Sequence, residues 1–235
     1  MIKFGGLDRY FADIKEEYIM HLQNITTSGE MNNGSATKDV EHRLEKITNR
    51  KVLLVTSGSV AMNLILCRLN LTKGDEVITI GYGPPAIVGP ITFCGATPKF
   101  VDIDTNYHLN LNKIEVGPKT KGLIYVSLFG NPFEYEKVLD FCKEHNIICF
   151  EDAAQSFGSS YKNIKSGSAG LCSALSFSPS KPSPTFGFLG AMATDDKMLF
   201  DQVNDAKKHG INNGSVGLNS NPSSALTLQL QHSLA

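Results

Sequence analysis

Short apolar runs alternating with stretches of helical periodicity set the tightest limit on what this 235-residue chain can fold into. "KVLLVT", "DEVITI", "KGLIYVSL" and "IICFEDA" lack the strict in–out alternation of a half-exposed strand. Between them lie helical stretches such as "SVAMNLILCRLN" and "EYEKVLDFCKEHN". Two more short strands, "SALSFS" and "GAMATDD", precede a helix over "DKMLFDQVNDAKKHG". Strands that are apolar on both faces and separated by helices predict an α/β fold with a mostly parallel central sheet covered on both sides. Ahead of this pattern, "DRYFADIKEEYIMHLQNI" reads as an amphipathic helix and Thr26 to Asp39 as a polar loop. A second helix carries Val40, Leu44 and Ile47 on one stripe, with Thr37 as its expected cap.

Composition removes several function classes. The 22 Lys and Arg balance 23 Asp and Glu, so the basic excess of a nucleic-acid binder is missing. No run of 18 apolar residues could span a membrane, and "MIKFGGLDRYFADIKEEY" lacks the apolar centre of a secretion signal. Cys67, Cys94, Cys142, Cys149 and Cys172 are odd in number and show no CxxC spacing, which predicts reduced core thiols in a cytoplasmic protein.

Ligands of such sheets gather beyond the carboxyl ends of the strands. Three polar stretches fall there: "TSGS" after "KVLLV", "EDAAQ" after "IICF" and "SPSK" after "ALSF". Gly58 and Ser59 open a helix, where backbone N–H groups and the helix dipole favour an anion; taken alone, the segment reads first as an ordinary Ser/Thr cap. Asp152 at a buried strand end needs a cationic or hydrogen-bonding partner, which a protonated pyridine nitrogen or neighbouring backbone amides would supply, and Gln155 follows it. Lys181, set between two prolines with Ser176 five residues before it, is either a solvated turn residue or a reactive amine. Neither a Walker A loop nor a GxGxxG is present. An anion-binding helix start, a carboxylate for a ring nitrogen and an imine-forming lysine together make the minimal protein equipment for pyridoxal 5′-phosphate. "KKHG" with His209 reads as a basic helix end with a glycine cap. His21, His42, His108, His145 and His232 show no ligand spacing, so no metal is expected.

At these residues the chain resembles the DegT/DnrJ/EryC1/StrS family of pyridoxal-phosphate-dependent sugar aminotransferases. "FGGLDRYFADIKEEY", "TSGSVAMNLIL", "GATPKFVDID", "EDAAQSFGSSY", "SFSPSK" and "VGLNSNPSSALTLQLQ" carry the likeness in the same order, over essentially the whole chain. The resemblance implies a three-layer α/β/α large domain of the aspartate-aminotransferase type. Lys181 would hold the cofactor as a Schiff base and shuttle protons, and Asp152 would pair with the pyridine nitrogen. Gln155 would lie against the ring, while Gly58, Ser59 and Ser176 would hold the phosphate. Asn219 would reach the phosphate from the second subunit of a homodimer. The reaction implied moves an amino group, typically from glutamate, to a nucleotide-linked keto sugar.

Several positions depart from the family pattern. Pro84 stands where an aromatic residue stacks on the ring, with only Tyr82 near enough to compensate. "GFLG" puts Phe188 and Leu189 into a glycine-rich turn, and Asn221 replaces an arginine. Residues 1–235 are read as an N-terminal segment plus the cofactor-binding large domain, with the family's small C-terminal domain absent, and low activity is expected of this chain alone. The competing reading is a non-catalytic paralogue or cofactor-binding fragment with a regulatory or scaffolding role. A dehydratase of the superfamily would carry histidine where Lys181 stands.

Overall fold

The computed structural model describes residues 6–132, 134–212 and 216–234; Phe4 and Gly5 of the opening segment and the terminal Ala235 lie outside them. In chain order the elements are α1 (Leu7–Ser28), α2 (Ser35–Thr48), β1 (Lys51–Val55), α3 (Gly58–Leu66), β2 (Glu76–Ile80), α4 (Val88–Phe93), β3 (Thr97–Val101) and β4 (Thr120–Val126). There follow α5 (Tyr135–Glu144), β5 (Ile148–Asp152), the two-residue strands β6 (Ser160–Tyr161) and β7 (Ile164–Lys165), β8 (Cys172–Ser176), β9 (Gly190–Thr194), α6 (Lys197–Ala206) and α7 (Ser224–Ser233). Among the described residues, seven strands form one sheet in the order β1-β9-β8-β5-β4-β2-β3. β3, β2, β4, β5 and β8 pair in parallel, and only β9 runs against its neighbours β8 and β1. No helix among the described residues is long and apolar enough to cross a membrane.

Successive side chains on a strand point to opposite faces, and here both faces are buried. Val52, Leu54, Ala191 and Ala193 pack with Val40 and Leu44 of α2 and Leu230 of α7. Leu53, Val55 and Met192 between them pack with Ala61 and Ile65 of α3 and Val203 of α6. The three-layer α/β/α architecture follows from that double burial.

Two expectations near the start need correction. The loop is shorter than Thr26 to Asp39: α1 runs to Ser28 and closes on Gly29 at φ +76°, and α2 begins at Ser35. Thr37 is a buried residue inside α2, not its cap. Glu30 takes that role from outside the helix, its carboxylate accepting the Ser35 N–H at 2.9 Å and hydroxyl at 2.7 Å.

The edge of the sheet at β1 is closed by side chains. A bare strand edge is a template for unwanted pairing. Here Glu41 of α2 accepts the Leu54 N–H at 2.8 Å, Glu45 accepts the Val52 N–H at 3.4 Å, and Lys207 donates to the Leu54 carbonyl at 3.2 Å. Lys207 also lies 3.7 Å from Glu41, the lysine buried and the carboxylate partly so. Burial pushes the Glu41 carboxyl up and the Lys207 amine down, and each charge opposes the shift in the other. The "KKHG" segment is therefore more than a basic helix end, because α6 stops at Ala206 and Lys207 turns inward.

At the opposite end of β9, Gly190 meets the start of α3. A Cβ at Gly190 would lie 2.2 Å from the Ser57 carbonyl carbon and 2.3 Å from the Gly58 nitrogen. Gly58 is similarly tight, with a Cβ falling 2.9 Å from Ser176 Cβ and 3.0 Å from the Leu175 oxygen.

Two outcomes are expected. Gly190→Ala should destabilise the fold by about 3 kcal/mol, the cost of forcing an atom into close-packed backbone, measured by urea unfolding. Lys207→Met should cost about 3 kcal/mol by leaving a buried carboxylate unpaired, whereas Glu41→Gln with Lys207→Met should cost less than the two single changes added together.

Candidate active site

The polar stretches at the ends of β1, β5 and β8 meet in one cavity of about 180 Å³. Gly58, Ser59, Asp152, Gln155, Ser176 and Lys181 all line it.

α3 contributes its N-terminus. Ser57 is the cap, its hydroxyl accepting the Val60 N–H at 3.1 Å. Gly58 and Ser59 are the first helical residues, so their own N–H groups have no intrahelical acceptor. The serine-cap and anion-site readings thus fall on different residues of one segment. β5 contributes a pair of carboxylates that its alternation sends to opposite faces. Asp152 faces the cavity with Oδ1 accepting the Ala154 N–H at 3.0 Å. Burial pushes its carboxyl above the usual range, while the Ala154 N–H and the Lys181 charge pull it back. Gln155 is oriented from outside, because its Oε1 accepts the Phe129 N–H at 2.9 Å.

Glu151 is the functional-looking carboxylate that sequence reasoning missed. It is fully buried and accepts hydrogen bonds from Ser166, Ser173, Gly167 and Ala169. Burial pushes its carboxyl up against those donors. The network ties residues 166–169 beneath β5 and β8, so Glu151 supports the strand end that presents Asp152.

Lys181 sits in a turn in which its own N–H bonds the Ser178 carbonyl at 2.9 Å. The loop from Phe177 to Gly187 is fastened at several points. The Thr185 N–H and hydroxyl both reach the Phe177 carbonyl, at 2.8 and 2.7 Å. From α7, Gln229 Oε1 accepts the Phe186 N–H, and the Ser233 hydroxyl donates to the Pro184 carbonyl at 3.2 Å. Lys181 is therefore half-buried on an anchored loop and lines the cavity.

Pro84 and Phe188 line the cavity where the sequence departs from the family pattern, and Phe188 is 72% exposed at its mouth. Tyr82 does not line it. Its ring lies 6.0 Å from that of Tyr107, which in turn lies 5.4 Å from Phe129. Asn219 is exposed and outside the cavity, its backbone bridged to Lys208. Ser57, Met62 and Ser178 also line the cavity, and the hydroxyls among them were signalled only by lying within the polar strand-end runs.

Comparison with known proteins identifies the family. The chain is 33% identical over 214 residues to UDP-2-acetamido-2-deoxy-3-oxo-D-glucuronate aminotransferase of Pseudomonas aeruginosa, covering 89% of this chain and 60% of that protein. A DegT DnrJ EryC1 StrS aminotransferase from Brucella abortus superposes with a TM-score of 0.93 at 25% identity, over 100% of this chain and 67% of the other. NtdA from Bacillus subtilis, with bound cofactor PMP, gives 0.87 at 25% identity, over 94% of this chain and 53% of the other. The chain spans about half the length of the curated relatives it matches. With residues 12–223 matching its pattern, the chain belongs to the DegT/DnrJ/EryC1/StrS aminotransferase family.

Proposed function

We propose that this chain is the pyridoxal-phosphate-binding part of an aminotransferase that moves an amino group, from glutamate, to a keto group on a nucleotide-linked sugar. The observation that carries the reading is that Lys181 and Asp152 line one cavity together with the opening residues of α3. The named relatives support the substrate class, and five free cysteines suit a cytoplasmic setting.

The donor set fits the cofactor. The half-buried Asp152 carboxylate, raised by burial, would gain a cationic partner in a protonated pyridine nitrogen. The free N–H groups of Gly58 and Ser59 and the hydroxyls of Ser59, Ser176 and Ser178 would take a phosphate at the positive end of α3. Lys181 would hold the cofactor covalently, and Gln155, fixed by Phe129, would lie against the ring. When bound, the cofactor supplies an electron sink for a substrate carbanion. The chain supplies the rest: Asp152 keeps the pyridine nitrogen protonated, and Lys181 Nζ takes and returns the proton at the substrate carbon. Asn219 would reach the phosphate of a second copy in a homodimer, consistent with its exposure away from its own cavity.

Borohydride reduction of the chain loaded with pyridoxal phosphate, followed by peptide mass mapping, should place the adduct on Lys181. An adduct on any other lysine would sink the assignment, and Lys181→Ala should give none. Asp152→Asn loses a charge-assisted bond worth roughly 1.5–3 kcal/mol, or about 10- to 150-fold in rate. The glutamate half-reaction, followed by cofactor absorbance, should slow by that factor with circular dichroism unchanged. Cofactor uptake on Lys181 with no half-reaction would favour the non-catalytic reading.

A further inference from the structure

Glu17 and His21 are four residues apart on α1 and so share one face of it. α7 brings His232 against that face from the other end of the chain. His232 Nδ1 lies 3.4 Å from Glu17 Oε2, and the two imidazole rings lie 5.4 Å apart at 18°, nearly parallel. One donor atom from each of the three residues lies within 4.8 Å of the other two. The spacing of histidines along the sequence gave no hint of this, because two separate helices build it.

The surroundings point to a missing partner. His21 Nδ1 and His232 Nε2 are both shielded from water and make no hydrogen bond. A buried polar atom left unpaired is unfavourable, and an imidazole nitrogen with no donor to accept from is a free lone pair or an unmet N–H. The His232 side chain is only 11% exposed, whereas Glu17 is 59% exposed, so the cluster is closed on one side and open to solvent on the other.

We propose that Glu17, His21 and His232 bind a borderline divalent transition metal, zinc foremost, that joins α1 to α7. Two imidazole nitrogens and one carboxylate oxygen make a zinc-type ligand set, with water completing the tetrahedron from the Glu17 side. The closing motion required is small, since the donor atoms need only move from 4.8 Å or less to the separations of a tetrahedral shell. The site stands apart from the cavity and does not depend on its reading.

α1 has reason to need a clasp. Among the described residues Ile25 is its one buried side chain, Phe11 and Tyr18 lie with their rings against Phe186, and the Tyr10 and Ser233 hydroxyls share a single hydrogen bond to α7. The metal would therefore add to the few contacts that keep α1 docked.

The test uses the chain without any histidine tag, stripped by chelator and titrated with zinc alone. The expected result is one zinc per chain, a higher melting temperature, and slower tryptic cleavage at Arg9 and Lys15. Glu17→Gln, His21→Ala and His232→Ala should each weaken zinc binding at least tenfold, while His145→Ala at the C-terminal cap of α5 leaves it unchanged. Glu17→Gln alters only an exposed carboxylate, so it reports on ligation even if a histidine variant folds poorly. Zinc affinity unchanged in Glu17→Gln and His21→Ala, or no bound zinc in the parent chain, would overturn the site and leave a Glu17–His232 ion pair.

Discussion

The cavity depends on how closely the start of α3 can approach the sheet. That approach is possible only because Gly190 and Gly58 lack side chains where β9 and β8 pass. Their absence lets the helix N-terminus stand over the strand ends, with its unpaired N–H groups facing the lysine and the carboxylate. Any atom added at the junction would move the start of α3 away from Lys181. The reversed direction of β9 matters here, because it puts the first residue of that strand, rather than the last, beside the start of α3.

Two carboxylates, Glu151 fully buried and Glu41 partly so, secure this geometry in different ways. Glu151 gathers hydroxyl and amide donors under β5 and β8, so its satisfaction is local to the sheet. Glu41 reaches across to an edge strand and shares Lys207 with it. The first fixes the strand end that carries Asp152, and the second prevents β1 from recruiting a foreign strand. α7 adds a third restraint by holding the lysine loop through Gln229 and Ser233.

Much of this was readable from the chain. That Lys181, Asp152, Gln155, Ser176, Gly58 and Ser59 share a cavity was legible because each lies at or just beyond the end of a strand, and strand-end position is a property of local pattern. What escaped was set by contacts between distant segments. Lys207 looked like a helix-end cation, and only the packing of α6 beside β1 reveals its buried pairing. Thr37 sat where a cap belongs, but the carboxylate of Glu30 reached in from the preceding loop. Glu151 was hidden by its neighbour, since sequence shows two adjacent acids but not which face each takes. Asn219 was placed by family likeness, and one chain by itself does not bring it to a cavity.

The pairing of β1 also bears on how the molecule is made. Within the sheet β1 has a single neighbour, β9, and Lys51 lies opposite Thr194. A ribosome working at roughly 5–20 residues per second needs about 7–30 s to reach that partner after β1 has been synthesised. Throughout that interval Val52 to Val55 is an apolar strand with no mate. α2 precedes β1 in the chain, so the carboxylates of Glu41 and Glu45 are already present to occupy one side of it. Lys207 arrives only after β9, which makes the ion pair the last fastening on that edge and the acidic helix its guard during synthesis.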